Sequence, residues 1–209
     1  MKEYHKIQTI FKRDPADNYK TLLEGEFSLL EFEYLQNNEW VYTEKLDGTC
    51  IRIMILEDGE LRFGGKTDRA QIPTHLFAKL QDTFNPIQPL LRETFPEGAC
   101  LYGEGVGPKI QKGGGNYGDE PQFVLFDIKV GEWWLKREDI EDIAGKLNIS
   151  IAPIIGSGNI EGMLILAKNG IKSTWGDFPA EGIVARPKVE LKARNGERII
   201  TKIKSKDFS

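Results

Sequence analysis

Two periodicities alternate along the chain. In "THLFAKLQDTF" (74–84) Leu76, Phe77, Leu80 and Phe84 recur at helical spacing and predict one apolar face. "KREDIEDIAGKLN" repeats the pattern with Ile140, Ile143, Ala144 and Leu147 inward, and "NIEGMLILAKNG" reads as a further helix that Gly170 stops. "FSLLEFEYLQNN" (27–38) predicts a short helix with a capping box, Ser28 as N-cap and Glu31 three residues on. Between these lie apolar runs of strand length: "NEWVYTEK", "CIRIMILEDGELRFGG", "ACLYGEGVG", "QFVLFDIKVGEWWL", "EGIVARPKVEL" and "ERIITKIKS". Turn residues Asp58-Gly59 and Asn195-Gly196 mark reversals. Strands dominate with helices interspersed, which predicts an α+β protein with packed antiparallel sheets and a cleft between them.

Composition sets limits. The 209 residues are 40% hydrophobic and 29% charged, an ordinary globular balance. No apolar run is long enough to span a bilayer, and the start "MKEYHKIQTIFKRD" lacks the apolar centre of a signal peptide. The expectation is a cytoplasmic protein, or one of a host's cytoplasm if phage-encoded, with no membrane partner. Cys50 and Cys100 show no metal-ligand spacing and read as reduced thiols. Net charge is −4, yet from Glu181 onward eight Lys and Arg face four Asp and Glu. A local basic face of that kind permits phosphate binding on an acidic chain. The chain shows no repeat, low-complexity segment or linker, so one domain over 1–209 is expected.

The residues that bear on chemistry are charged side chains at the ends of apolar strands. Lys45 and Asp47 lead into one, Glu104 follows "CLYG", Asp127 follows "FVLF", and Glu181 precedes "GIVARP". Lys202 and Lys204 alternate with apolar residues in "IITKIKS" and so share a face. One amine, several carboxylates and a lysine pair are the inventory for chemistry on a polyphosphate. Each also has an ordinary structural reading. Strand-end carboxylates usually face water, paired lysines guard sheet edges, and Phe126 suits a core as well as a ligand. "GEGVG" (103–107) is followed by Pro108 where a dinucleotide-binding helix would begin, and "KGGGNYG" (112–118) lacks the lysine of a P-loop. His5 and His75 form no triad, and Trp133 and Trp134 fall on opposite sheet faces.

In order, "EKLDG" (44–48), "GGKTDRAQIP" (64–73), "LYGEGVGPKIQKGGGNYG" (101–118), "FVLFDI" (123–128), "EGIVAR" (181–186) and "TKIK" (201–204) resemble the motifs of the covalent nucleotidyltransferases. That superfamily holds ATP-dependent RNA and DNA ligases and mRNA capping enzymes. The chain is most similar to RNA ligases of the phage type, from about residue 40 to residue 206. The resemblance implies a nucleotidyltransferase (ATP-grasp-like) fold, antiparallel sheets flanking a nucleotide cleft, and a minimal catalytic core without an OB domain.

It also implies roles. Lys45 attacks the α-phosphate of ATP, releases pyrophosphate and carries AMP. Asp47, Glu104 and Glu181 hold Mg2+ or Mn2+. Phe126 stacks on adenine, Glu44 lies beside the base, and Lys202 and Lys204 grip phosphates. The basic position after the nucleophile falls to Lys66 or Arg69. AMP then passes to an RNA 5′-phosphate, and a 3′-hydroxyl displaces it to seal the strand, the chemistry of RNA repair. A helper protein for substrate binding is a possible partner. A free lysine is almost wholly protonated at neutral pH, so nearby cations are expected to favour the neutral nucleophile. A DNA ligase, a GTP-dependent capping-type enzyme and a non-catalytic module that binds nucleic-acid ends are the alternatives.

Overall fold

Along Trp40–Lys45, Trp40, Tyr42 and Glu44 are buried while Val41, Thr43 and Lys45 are partly exposed. This two-residue period decides which side chains of the strand enter a core and which remain available for chemistry. The computed structural model describes residues 3–208. In chain order it contains β1 (Gln8–Thr9), β2 (Phe11–Arg13), β3 (Leu22–Phe27), α1 (Leu30–Tyr34), β4 (Trp40–Lys45), β5 (Thr49–Ile55) and β6 (Leu61–Gly65). Next come α2 (Thr74–Phe84), α3 (Gln88–Thr94), β7 (Ala99–Val106), β8 (Gln122–Val130), β9 (Trp133–Trp134) and α4 (Arg137–Leu147). The last are β10 (Ser150–Ile151), β11 (Ile154–Gly158), α5 (Ile160–Lys168), β12 (Gly182–Pro187) and β13 (Thr201–Lys204).

The chain folds as two units, and the sequence passes between them near the nucleophile motif. One unit comprises Asp47–Ala152 together with residues 3–4; the other comprises His5–Leu46 and residues 153–208. The first is built on a sheet in the order β10-β8-β7-β5-β6, with β9 beside β8. One face of that sheet presents Ile51, Ile53, Ile55, Leu101, Phe123, Leu125 and Ile128 to α2, α3 and α4. Those helices contribute Leu76, Leu80, Phe84, Leu91, Ile140, Ala144 and Leu147 to the same core. The second unit carries a sheet in the order β1-β13-β12-β4-β11 and the small pair β2-β3. Its core joins Trp40, Tyr42, Ile183, Ala185 and Ile203 to Met163 and Ala167 of α5. Most pairings are antiparallel, as expected; β1 with β13 and β10 with β8 are parallel.

Three expectations need adjustment. The first helix is confined to Leu30–Tyr34, and its N-cap is Leu29, without a side-chain cap. Ser28 instead donates its hydroxyl to the Thr9 carbonyl at 2.5 Å, so the predicted capping box does not form. Phe77 is partly exposed and meets Phe63 edge-on at 5.7 Å, while Leu76, Leu80 and Phe84 take the core positions. α3 was not anticipated, because its two-turn length and Pro89 hide the helical period. Among the described residues no helix is long and apolar enough to cross a membrane.

Candidate active site

The nucleophile candidate ends β4 on the side of the sheet opposite the core. β12 lies between β4 and β13, and the register places Lys45, Gly182 and Lys204 in one row across the three strands. Thr43, Val184 and Lys202 form the next row, so both lysines of "TKIK" share the face of Lys45. Because the central residue of the first row is glycine, no side chain separates Lys45 from Lys204. Glu181, one residue before β12, takes both: Lys45 Nζ donates to its Oε2, and Lys204 Nζ lies 2.6 Å from its Oε1. Burial works to raise the Glu181 carboxyl; Lys45 and Lys204 together outweigh it and hold the group below the ordinary carboxylate range.

Glu44 points the other way from its neighbour Lys45, as strand geometry requires. Its carboxylate is buried and accepts three hydrogen bonds from the segment after α5. Ser173 Oγ donates to Oε1 at 2.5 Å, and Thr174 N and Oγ1 donate to Oε2 at 2.9 and 2.8 Å. Adjacent residues of β4 therefore hold two points of the stretch that leads into β12, Glu44 at its beginning and Lys45 at its end.

The first unit supplies the remaining candidates from the face of its sheet opposite the core. Cys50 and Arg52 of β5 lie there beside Tyr102 and Glu104 of β7 in register. The Cys50 thiol is pushed up to about 12, first by burial and then by the negative charge of Glu104, with Lys66 and Arg52 opposing. β8 departs from simple alternation. Tyr102 pairs with Asp127 and Gly103 pairs with Leu125, so Phe126 is an extra residue, a β-bulge. Phe123, Leu125 and Ile128 face the core. Phe126 and Asp127 are consecutive, yet both meet Tyr4 on the other face.

Lys66 and Arg69 are both exposed on the turn after β6. Arg52, almost wholly buried, fastens that turn: its Nε donates to the Gly65 carbonyl at 2.8 Å and its Nη2 to Asp68 Oδ1 at 2.7 Å. The Asp47 amide donates to the Tyr117 hydroxyl at 2.9 Å, and the Gly113 amide reaches Asp47 Oδ2 at 3.4 Å. The glycine-rich "KGGGNYG" loop is thus folded onto Asp47. A Cβ on Gly48 would stand 2.3 Å from the Gly105 carbonyl oxygen and 2.8 Å from Glu104 Cγ. Only glycine lets the Asp47 turn lie this close to Glu104, which gives the glycine of "KLDG" a physical reason.

The carboxylates expected to bind metal are hard oxygen donors suited to Mg2+ or Mn2+. Among the described residues no three or more His, Cys, Asp or Glu side chains are gathered closely enough to hold an ion. Asp47 fits the expectation in that its Oδ2 makes one long contact and its Oδ1 accepts no hydrogen bond from described residues. Glu181 has both oxygens engaged by lysines.

Mostly antiparallel sheets packed against helices define an α+β fold. Residues 38–204 match the RNA ligase family, and the chain belongs to that family. It is similar in structure to Naegleria gruberi RNA ligase. With the structure titled as that ligase with PPi it gives a TM-score of 0.67 at 18% identity, covering 99% of this chain and 58% of the other. With a variant titled with ATP and Mn it gives 0.68 at 18% identity, covering 100% and 62%. A variant titled with AMP and Mn gives 0.65 at 18% identity, covering 99% and 58%. The chain thus spans 58–62% of the length of these ligase chains. At this identity the likeness establishes the fold.

Proposed function

We propose that the protein is an ATP-dependent RNA ligase that works through a lysyl-AMP intermediate, the chain forming an adenylyltransferase domain. The observation that carries this reading is the row Lys45–Gly182–Lys204 with Glu181 beneath it. A lysine at a strand end, held by one carboxylate that a second lysine shares, is oriented before any substrate arrives. Lys45 Nζ, once deprotonated, attacks the α-phosphorus of ATP; the bond to the β-phosphate oxygen breaks and pyrophosphate departs. Lys202 and Lys204 neutralise charge that develops on the phosphates. Asp47 would offer a carboxylate oxygen to Mg2+ or Mn2+, which would supply further charge neutralisation. Phe126 offers its ring to adenine, and Lys66 or Arg69 offers a cation from the fastened turn.

The same groups serve the later steps. AMP moves from Lys45 to the 5′-phosphate of an RNA end, forming a new phosphoanhydride. The 3′-hydroxyl of a second end attacks that 5′-phosphate, forms the phosphodiester and expels AMP. Family membership supports this reading, as do the ATP, AMP and Mn named for the Naegleria structures.

The test is incubation with magnesium and ATP labelled at the α-phosphate, with labelled GTP in parallel, followed by a denaturing gel. The expected result is a labelled protein band with ATP that Lys45→Ala abolishes. A band with GTP alone would assign capping-type chemistry. No band from folded protein that binds nucleotide would overturn the mechanism and leave a binding module.

A further inference from the structure

Residues 3 and 4 precede the matched span 38–204, and no motif includes them. They belong to the first unit, although the chain from His5 to Leu46 belongs to the second. Tyr4 is 8% exposed. Its ring stands edge-on to Phe126 with centroids 5.1 Å apart and planes at 71°. It also contacts Tyr102 at 5.1 Å and Trp134 at 5.8 Å. Its hydroxyl donates to Asp127 Oδ2 at 2.5 Å, and Asp127 is fully buried. Next to it, Glu3 Oε1 accepts the Asp68 amide at 2.8 Å, on the turn that carries Lys66 and Arg69.

These contacts have one feature in common. The bulge in β8 turns Phe126 and Asp127 to the same face, and Tyr4 engages both, the first through its ring and the second through its hydroxyl. A bulge frees a side chain from the regular pleat, so something else must fix its direction. Phe126 is only half-buried, and the ring of Tyr4 packs against it. Aromatic pairs in this edge-to-face arrangement are directional, so the ring of Tyr4 limits the angles that Phe126 can take. Asp127 anchors the tyrosine, and Glu3 ties the same segment to the basic turn.

We propose that Tyr4 is a positioning residue for nucleotide binding: it sets the ring of Phe126, with Glu3 bracing the Lys66–Arg69 turn. This rests on the ligase reading, in which Phe126 meets adenine. Tyr4 touches no reacting atom, so its loss is expected to weaken ATP capture and leave the transfer to Lys45 intact.

The experiment measures the rate of labelled Lys45 formation against ATP concentration, alongside thermal melting of each variant. Tyr4→Leu is expected to raise the ATP KM about three- to tenfold, the worth of one aromatic pair, with kcat within about twofold of wild type. Tyr4→Phe keeps the ring and is expected to restore most of the affinity, while melting lower for want of the hydroxyl. Glu3→Ala is expected to raise KM about twofold, the loss of one exposed hydrogen bond. If Tyr4→Leu does not fold, Tyr4→Met, which keeps the buried bulk, is read in its place. A folded Tyr4→Leu or Tyr4→Met protein with an unchanged KM overturns the proposal and leaves the ligase reading standing. A fall in kcat alone also overturns it. No labelled band from wild-type protein sinks the ligase reading and this proposal together.

Discussion

Lys45 donates its Nζ hydrogen directly to Glu181, and Lys204 approaches the other oxygen of the same carboxylate at 2.6 Å. Glu181 therefore does two things before substrate binds: it aims the nucleophile candidate and it keeps two lysines from repelling each other. Glu181→Gln removes the charge and keeps the shape. Formation of the labelled intermediate is expected to slow about 10²- to 10³-fold, the range for losing one preorganised electrostatic partner. The labelling assay against wild type checks it; a rate within a few-fold of wild type counts against the role.

The same carboxylate gives a pH signature. Its pKa is held below the ordinary range, so the unfolded chain binds its proton more readily than the folded one. The stabilisation is complete above the unfolded value, near 4.3 for a free glutamate, and is lost as pH falls through the lower folded value. Wild type is expected to be more stable than Glu181→Gln near neutral pH, with the gap closing on acidification. Urea unfolding at a series of pH values measures the gap. A difference that persists unchanged in acid would assign the stability to packing.

Much of this arrangement was legible in the sequence, and the reasons it was legible are physical. β4, β5, β7, β8 and β12 are long apolar runs, so their existence and the shared face of Lys202 and Lys204 follow from alternation. What escaped was set by contacts between distant segments. Ser28 has the spacing of a capping box, but the Thr9 carbonyl competes for its hydroxyl. Tyr117 holds the Asp47 amide from seventy positions away, and no local pattern carries that information. The bulge at Phe126 is invisible in "FVLFDI", where strict alternation would send Phe126 and Asp127 to opposite faces. Glu44 looks like any strand-end carboxylate until Ser173 and Thr174 fold over it.

That Glu44 clamp makes a separate prediction. Its carboxylate is 2% exposed and accepts from one backbone amide and two hydroxyls. Glu44→Ala strands the hydroxyl of buried Ser173, at a cost on the order of 1–3 kcal/mol, and leaves the donors of exposed Thr174 to solvent. Thr174→Val removes one hydroxyl donor and is expected to cost about 1 kcal/mol. Chemical denaturation ranks the two. Equal stability of Glu44→Ala and wild type would mean the segment finds other partners.

The thiols should be quiet in the native protein. Cys50 is pushed up to about 12 and Cys100 to about 11, burial being the chief cause in both. An unfolded thiol ionises near 9.0, so the folded protein holds these protons over a range where the unfolded chain releases them. Their contribution to stability is fully present below that value and is lost as pH rises through the folded values. Reaction with a thiol reagent at mildly alkaline pH is expected to be slow for both cysteines and fast after denaturation. Rapid modification of the folded protein would show that the thiolate forms more easily than burial allows.

Gly182 sits at the centre of the row that joins Lys45 to Lys204, and its backbone runs against β13. A Cβ there would stand 2.1 Å from the Ile203 carbonyl oxygen and 2.7 Å from the Lys204 Cα, both backbone atoms that cannot rotate aside. Gly182→Ala must therefore push β12 and β13 apart at the point where Glu181 and Lys204 meet. Overpacking of this kind costs about 1–3 kcal/mol, and a shift of 1 Å in a reacting group costs roughly 10²-fold in rate. The variant is expected to fold with lower stability and to label far more weakly than its stability loss accounts for. Gly196→Ala is the comparison: its Cβ would meet nothing within 4 Å, so only its left-handed backbone, φ +84°, opposes it. Urea unfolding of both variants, with the labelling rate measured on the folded fraction, separates the two effects. If Gly182→Ala labels as fast as Gly196→Ala at matched stability, the spacing between β12 and β13 does not set the chemistry.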